Sequence, residues 1–493
     1  MKFMYALAVL AVLPNPGHVA HAYAADCLGS GTEAVINAAL SGPGATAVLC
    51  PGAVFELHGS VRFTAANQRL TTLGQPTDAS RANLRIAAAT LTAAVYGLDQ
   101  SGVVVENVQV DGNRSALGYL AGPALIQLGG AATGQVVRQV AARHTRSWST
   151  IHIHEGGISA NTPLCQRATI SDNQLGPAGM PDGTWADGIS LACGNSLVAR
   201  NTIRDATDGA IVVFGAPGSL IQDNTIVAET RQLLGGINLV DFGPTNGNYT
   251  GTRVTGNVID ARSEFIKVAV AMGPRVWSCA GGVGANFGAS VTGNRLSGQN
   301  MGYGFAVAGV SGWTVSGNVD QSRHVGRPGS GCDGVTATPA GYQVQSAQGS
   351  SLQPGFVTAN VVDVLRVTEP AILRLPPRPP TACGRIAAGE WLGSDQALLS
   401  CDGRFRLILQ LDGNLVLYQG NTPLWATGIR PLRVVMAIMQ NDGNFVAYDT
   451  AGNAVFASRT AVPGSRLLVQ NDGNMVVYDP SGRPLWATNT CCH

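Results

Sequence analysis

The sequence predicts an all-β chain made of two repeating units, and three observations lead there. A short asparagine-centred motif recurs through most of the chain, and a stricter motif recurs every 30 residues near its end. Glycine is abundant (63 of 493 residues) and charged residues are scarce (12%), which suits tight corners between short strands and disfavours helical bundles. At this length a single compact core is not expected to serve the whole chain.

Residues 1–24 read as a signal peptide. Lys2 gives a basic start, Phe3 to Leu13 is an apolar run, and Ala22-Tyr23-Ala24 is a small-residue cleavage site. The run is too short to span a bilayer, and the sequence offers no second candidate. A secreted, extracellular location is therefore expected, and ten cysteines suit an oxidising compartment. Cys27 and Cys50 flank a helix-like segment and are expected to pair. Cys165 with Cys193 and Cys279 with Cys332 are further neighbours, although spacing alone does not set connectivity. A net charge of +1 leaves no electrostatic footprint for nucleic acid or an anionic membrane surface.

Residues 26–368 carry the first repeat. VVVENVQV around Asn107 is echoed around Asn173, Asn201, Asn224, Asn257, Asn294, Asn318 and Asn360, with apolar strands such as Gly188-Ile-Ser-Leu191 in between. The spacing is 23 residues from Asn201 to Asn224 and 42 from Asn318 to Asn360. β-type repeats of this length indicate a solenoid. Stacked coils lie about 4.8 Å apart, so an asparagine at one inward corner per coil can hydrogen-bond to its equivalents above and below. This stretch resembles the right-handed parallel β-helix superfamily, the fold of pectate lyases and polygalacturonases. Thr32 to Leu40 then looks like the amphipathic helix that covers the open first coil.

Residues 369–382 hold five prolines in fourteen residues and read as a stiff, extended linker. Beyond them, in 383–493, the period becomes regular. Gln410, Asp412, Asn414, Val416 and Tyr418 recur as Gln440, Asp442, Asn444, Val446 and Tyr448, and again as Gln470, Asp472, Asn474, Val476 and Tyr478. Alternate residues of a strand share a face, so each set presents carboxylate and amide groups, an apolar patch and a phenol together. A hexose offers matching hydroxyls and a C–H face. Asp accepts, whereas Asn and Gln both donate and accept. The pattern Q-x-D-x-N-x-V-x-Y resembles the bulb-type, mannose-binding monocot lectins, which implies a β-prism II fold. It also implies three sites that read mannose through its axial 2-hydroxyl with the Asp and Asn, and neighbouring hydroxyls with the Gln and Tyr. Neither a metal nor another cofactor is implied. Trp425, Phe456 and Trp486 follow the motifs and are expected to fill the prism centre.

The solenoid also carries candidate catalytic residues. Aligning Ser149 to Glu155, Asp187 to Cys193, Asp208 to Phe214 and Gly235 to Asp241 stacks Asp187 on Asp208. Two carboxylates about 5 Å apart cannot both ionise freely, so one could serve as an acid. His152 and His154 project to the outer face, followed in later coils by Ser190, Asn238 and Lys267, while Glu155 and Asp241 take equivalent strand ends. Trp148, Asp182 and Trp185 lie nearby in sequence. The polygalacturonase and pectate lyase motif sets are incomplete, so either chemistry would rest on fold alone. Two functions are compatible with these features. One is a β-helix hydrolase or lyase anchored by its lectin on mannose-containing glycans or polysaccharide. The other is a non-catalytic adhesin or defence lectin with a rigid stalk.

Overall fold

The computed structural model describes residues 27–492 except 181–183, 280–283, 327, 367–381, 394–395, 411–412, 429–433 and 450–453. The signal-peptide reading, nearly all of the linker, Asp182 and Asp412 lie outside the described residues. Among those described, no helix is long and apolar enough to cross a membrane.

In the first part of the chain successive coils lay down three short strands each, as in Leu197–Ala199, Thr202–Arg204 and Gly209–Val213, and the last lays down two. Each pairs in parallel with its counterparts in adjoining coils. The result is three parallel sheets of 11, 10 and 12 strands among the described residues. The register stacks like on like: Ile151, Ile189, Ile211, Ile237, Val270 and Phe305 form one continuous interior row in the third sheet. All six are essentially inaccessible to solvent, and each contributes about 1.5–3 kcal/mol by burial. The row explains the alternation of apolar with small or polar residues in strands such as Asp187–Leu191.

The corner asparagines form the ladder that the sequence suggests. Nδ2 of Asn173 donates to Oδ1 of Asn201 at 2.8 Å, and the relay continues through Asn224, Asn257, Asn294 and Asn318 at 2.8–2.9 Å per step. Each Nδ2 also reaches a backbone carbonyl, for example that of Val198 from Asn224 at 3.0 Å. Two expectations change. Asn107 meets Gln139 of the next coil (2.8 Å), so a glutamine fills one rung. Asn360 is not a rung: it lies in a loop, donating to the carbonyls of Asp333 and Val335. Gln353 takes its place, accepting from Asn318 at 3.1 Å.

Helix Glu33–Ala39 covers the first coil with Ile36 buried, and the Thr32 hydroxyl accepts from the Ala34 amide at its start. Such a cap shields the exposed edge and apolar end of the stack. Disulfides join Cys27–Cys50, Cys165–Cys193 and Cys279–Cys332, together with Cys383–Cys401, whose pairing the sequence reading did not include.

The C-terminal part forms three antiparallel sheets of four strands each. Each 30-residue repeat supplies the hairpins of one sheet, and a short strand from Arg385–Ile386, Trp391–Gly393 or Ala397–Leu399 completes it. Leu417, Ala447 and Val477 point inward from the middle strands and belong to a core separate from that of the solenoid. Trp425, Phe456 and Trp486 meet edge to face at the centre, with ring centroids 5.4–6.1 Å apart. They fill the prism as expected. The protein is thus all-β, a parallel β-helix followed by a β-prism.

Candidate functional sites: an acidic pocket and three sugar-facing strands

On the outer face of the third solenoid sheet, Asp187, Asp208 and Asp241 line one cavity of about 160 Å³ with Trp148, Phe214, Trp277 and Asn238. The register differs from the expected one by a residue. Ile189 pairs with Ile211, which sets Asp187 opposite Gly209 and leaves Asp208 one position earlier. What brings the carboxyls together is a bend repeated in successive coils. Ser190 Oγ donates to Asp187 Oδ2 at 2.7 Å, three residues back along the same strand. A Cβ on Gly209 would lie 2.3 Å from Val212, and one on Gly235 would lie 2.0 Å from Asn238 Oδ1. In a regular strand such i, i+3 pairs sit on opposite faces, about 10 Å apart. Glycine at 209 and 235 therefore permits the bend, and the Gly209 amide donates to Asp187 Oδ1 at 3.0 Å.

The pocket is electrostatically tense. Burial, then the neighbouring Asp208 charge, pushes Asp187 well above the usual carboxylate range, against the pull of the Ser190 and Gly209 hydrogen bonds. Burial raises Asp208 to about 6. Burial and the charge of Asp208 raise Asp241 to about 7. The described lining contains no Lys, Arg or His. Asn238 is 1% exposed and its Oδ1 has no hydrogen-bond partner. A buried polar atom left in this way costs about 1–3 kcal/mol.

The other solenoid candidates stand apart from this trio. His152 is buried, its Nδ1 lies 3.0 Å from the Gln127 amide, and its ring lies 4.8 Å from that of Trp148. Burial and the adjacent His154 lower its pKa to about 4, so it is neutral at physiological pH and supports Trp148 from behind. His154 accepts from the Gly156 amide and lies 3.7 Å from Glu155, and neither lines the cavity. Ser190 follows His152 and Asn238 follows Val212, as expected, but Ala271 rather than Lys267 comes next. Lys267 instead donates to the Leu365 carbonyl at 3.0 Å. Sequence reasoning missed Trp277, which lies in the short helical turn Pro274–Trp277 beyond the strand and outside any periodic pattern.

In the β-prism the described residues of the three motifs share one geometry. An Asp-Gly turn with positive φ at Gly443 and Gly473 (91° each) redirects the chain into the strand, and Gln440 and Gln470 receive the turn amides. Gln410, Gln440 and Gln470 donate to the phenols of Tyr418, Tyr448 and Tyr478 at 2.9, 2.6 and 2.9 Å. Asp442 and Asp472 are exposed, each accepting from the backbone amide of the following Asn at 2.9 Å. Oδ1 of Asn414, Asn444 and Asn474 accepts from Thr427, Ser458 and Thr488 at 2.9, 3.0 and 3.1 Å. That contact turns Nδ2 away, and for Asn444 and Asn474 it has no protein acceptor among the described residues. Val416, Val446 and Val476 are each 2% exposed and form the floor of each site.

No family model matches the chain. A mannose-specific lectin from Narcissus pseudonarcissus is 41% identical over 69 residues, 14% of this chain and 62% of the relative. The chain thus spans less than two thirds of that relative's length. The solved snowdrop (Galanthus nivalis) mannose-specific agglutinin, complexed with methyl-α-D-mannoside, is 34% identical over 22% of this chain and 99% of its own, with a TM-score of 0.19. The C-terminal unit is bulb-lectin-like. For the solenoid, an alginate lyase from Paenibacillus covers 60% of this chain and 96% of its own at 14% identity and a TM-score of 0.42.

Within the bulb-lectin-like unit, sequence reasoning found the five-residue sets but not the hydroxyls that aim the asparagines. Thr427, Ser458 and Thr488 each stand two residues after the central aromatic, in PLWAT, AVFAS and PLWAT. Their signal was the small hydroxyl residue repeated at that place.

Proposed function

We propose that the chain is a secreted glycan-active protein whose lectin unit holds mannose-bearing material at three sites while the acidic pocket of the β-helix hydrolyses an uncharged polysaccharide. The observation that carries this reading is the threefold recurrence of a Gln–Tyr pair and an Asn oriented by a hydroxyl, joined at the second and third sites by a paired Asp–Asn. Ordinary exposed strands have no reason to repeat it. Four disulfides support secretion into an oxidising compartment.

Catalysis is the finer part of the reading. Glycoside hydrolysis needs one carboxyl that keeps its proton and one that carries charge. Asp241, near 7, donates a proton to the glycosidic oxygen as the C–O bond breaks. Asp208, near 6, supplies the negative charge that stabilises the developing cation, and water then adds to the anomeric carbon, giving up a proton that restores the Asp241 carboxyl. The charge of Asp208, in a described lining without Lys, Arg or His, repels a uronate, which is why the substrate is taken as uncharged. Trp148 and Trp277 offer apolar faces to the sugar ring.

The test is release of reducing ends from mannans and other neutral polysaccharides by the full chain, beside Asp241→Asn and Asp208→Asn. The expected result is turnover that peaks between about pH 6 and 7 and falls at least a hundredfold in either variant. Unsaturated products from a uronate polymer would replace hydrolysis by elimination. No turnover on any substrate would leave the β-helix as a stalk.

A further inference from the structure

The three sugar-facing sites share their five residues but not their surroundings. Beside the second site, Met436 (1% exposed) and Ile438 (3%) form a small apolar cluster separate from the prism core, with Trp391 and Tyr448 packed against it and both partly open to solvent. The strand register explains the arrangement. Trp391 pairs with Ile438, which pairs with Val446, and Met436 pairs with Tyr448. One apolar strip therefore runs from the floor of the sugar site across two strand spacings, about 10 Å, to the indole.

The equivalent row is different in the other two sheets. Beside the first site it reads Val416, Ile408, Ala397, with Arg406 over the Tyr418 ring at 5.7 Å. Beside the third it reads Val476, Leu468, Arg385, with Arg466 facing Tyr478. A monosaccharide seated on Val446 and Tyr448 does not reach Trp391. A chain of sugars continuing outward from it does, and the C–H face of a pyranose is the surface an indole accepts.

We infer that the second site is an oligosaccharide site, in which Trp391, seated on the buried Met436–Ile438 pair, binds an outer sugar unit of a glycan whose terminal residue occupies Gln440, Asp442, Asn444 and Tyr448. This rests on the lectin reading of those residues, and the experiment separates the two. The full chain carrying Asn414→Ala and Asn474→Ala keeps the second site alone. Its affinity is measured by calorimetry for methyl α-mannoside and for a linear mannotriose, with and without Trp391→Ala.

The expected result is that mannotriose binds about tenfold more tightly than methyl α-mannoside. Trp391→Ala should remove that advantage and leave methyl α-mannoside binding within twofold. Trp391→Phe should retain part of it. Equal binding of the two sugars before substitution overturns the inference. So does an equal loss for both, which makes Trp391 a support for the strand. Absence of methyl α-mannoside binding in the parent variant overturns the lectin reading itself, and the inference with it.

Discussion

Both halves of the molecule repeat an asparagine, and they use it in opposite ways. In the solenoid, Asn224 spends its whole amide on the protein: Oδ1 receives the Asn201 backbone and side-chain amides, and Nδ2 serves Asn257 and the Val198 carbonyl. In the prism, Asn444 has Oδ1 fixed by Ser458 and Nδ2 without an acceptor among the described residues. Recurrence alone does not mark function. A repeated polar residue is structural where its neighbours saturate it and ligand-ready where they satisfy only the half that sets its orientation.

The sharpest way to break this contrast is to remove one asparagine from each half. Asn224→Ala should destabilise the solenoid by about 3 kcal/mol, since it strips partners from two buried rungs. In thermal unfolding, the solenoid transition should fall by several degrees while sugar binding is untouched. Asn444→Ala should do the reverse, abolishing binding at the second site and moving no unfolding transition by more than about a degree. Titration calorimetry would then count two sites instead of three.

How far the sequence exposed these differences depended on whether a signal was local. The sugar-facing sets were legible because five residue types repeat at fixed spacing, but not as one strand face: Gln440, Asp442, Gln470 and Asp472 sit in the turns before strands Phe445–Asp449 and Met475–Tyr478. The ladder was legible as a pattern, but Asn360 carries the same FVTANVV dress and sits in a loop, while Gln353 and Gln139 fill rungs without being asparagine. The acidic pocket was half legible. Asp187, Asp208 and Asp241 stood out, yet strict alternation misplaced the register because the strands bend where Gly209 and Gly235 allow it. His152 does alternate with the inward Ile151 and Ile153, but it packs beside Trp148 and is buried, which leaves it neutral. Trp277 comes from a turn that no period announces.

Two smaller effects sharpen the picture of each half. The raised carboxyls give the β-helix a pH dependence of definite sign. Folded Asp208 and Asp241 hold protons that the unfolded chain releases near pH 4. Stability is therefore highest at acidic pH and declines as pH rises through about 6 and 7. Thermal unfolding at pH 5 and pH 8 should show the first transition a few degrees higher at pH 5. Asp241→Asn should recover part of the loss at pH 8, and a transition insensitive to pH would mean the carboxyls are not desolvated. Smallest of all, Ser458→Ala should weaken the second site only a few-fold, the worth of one orienting hydrogen bond, with an affinity between those of wild type and Asn444→Ala.

The most direct measurement is a glycan array probed with the full chain in EDTA, beside the triple variant Asn414→Ala, Asn444→Ala and Asn474→Ala, both confirmed folded by circular dichroism. Binding to mannose-terminated glycans by the first and loss in the second is the expected result. If the wild type binds none of them, or if the triple variant binds as well, the repeated outward asparagines do not hold sugar. The contrast between the two halves then fails.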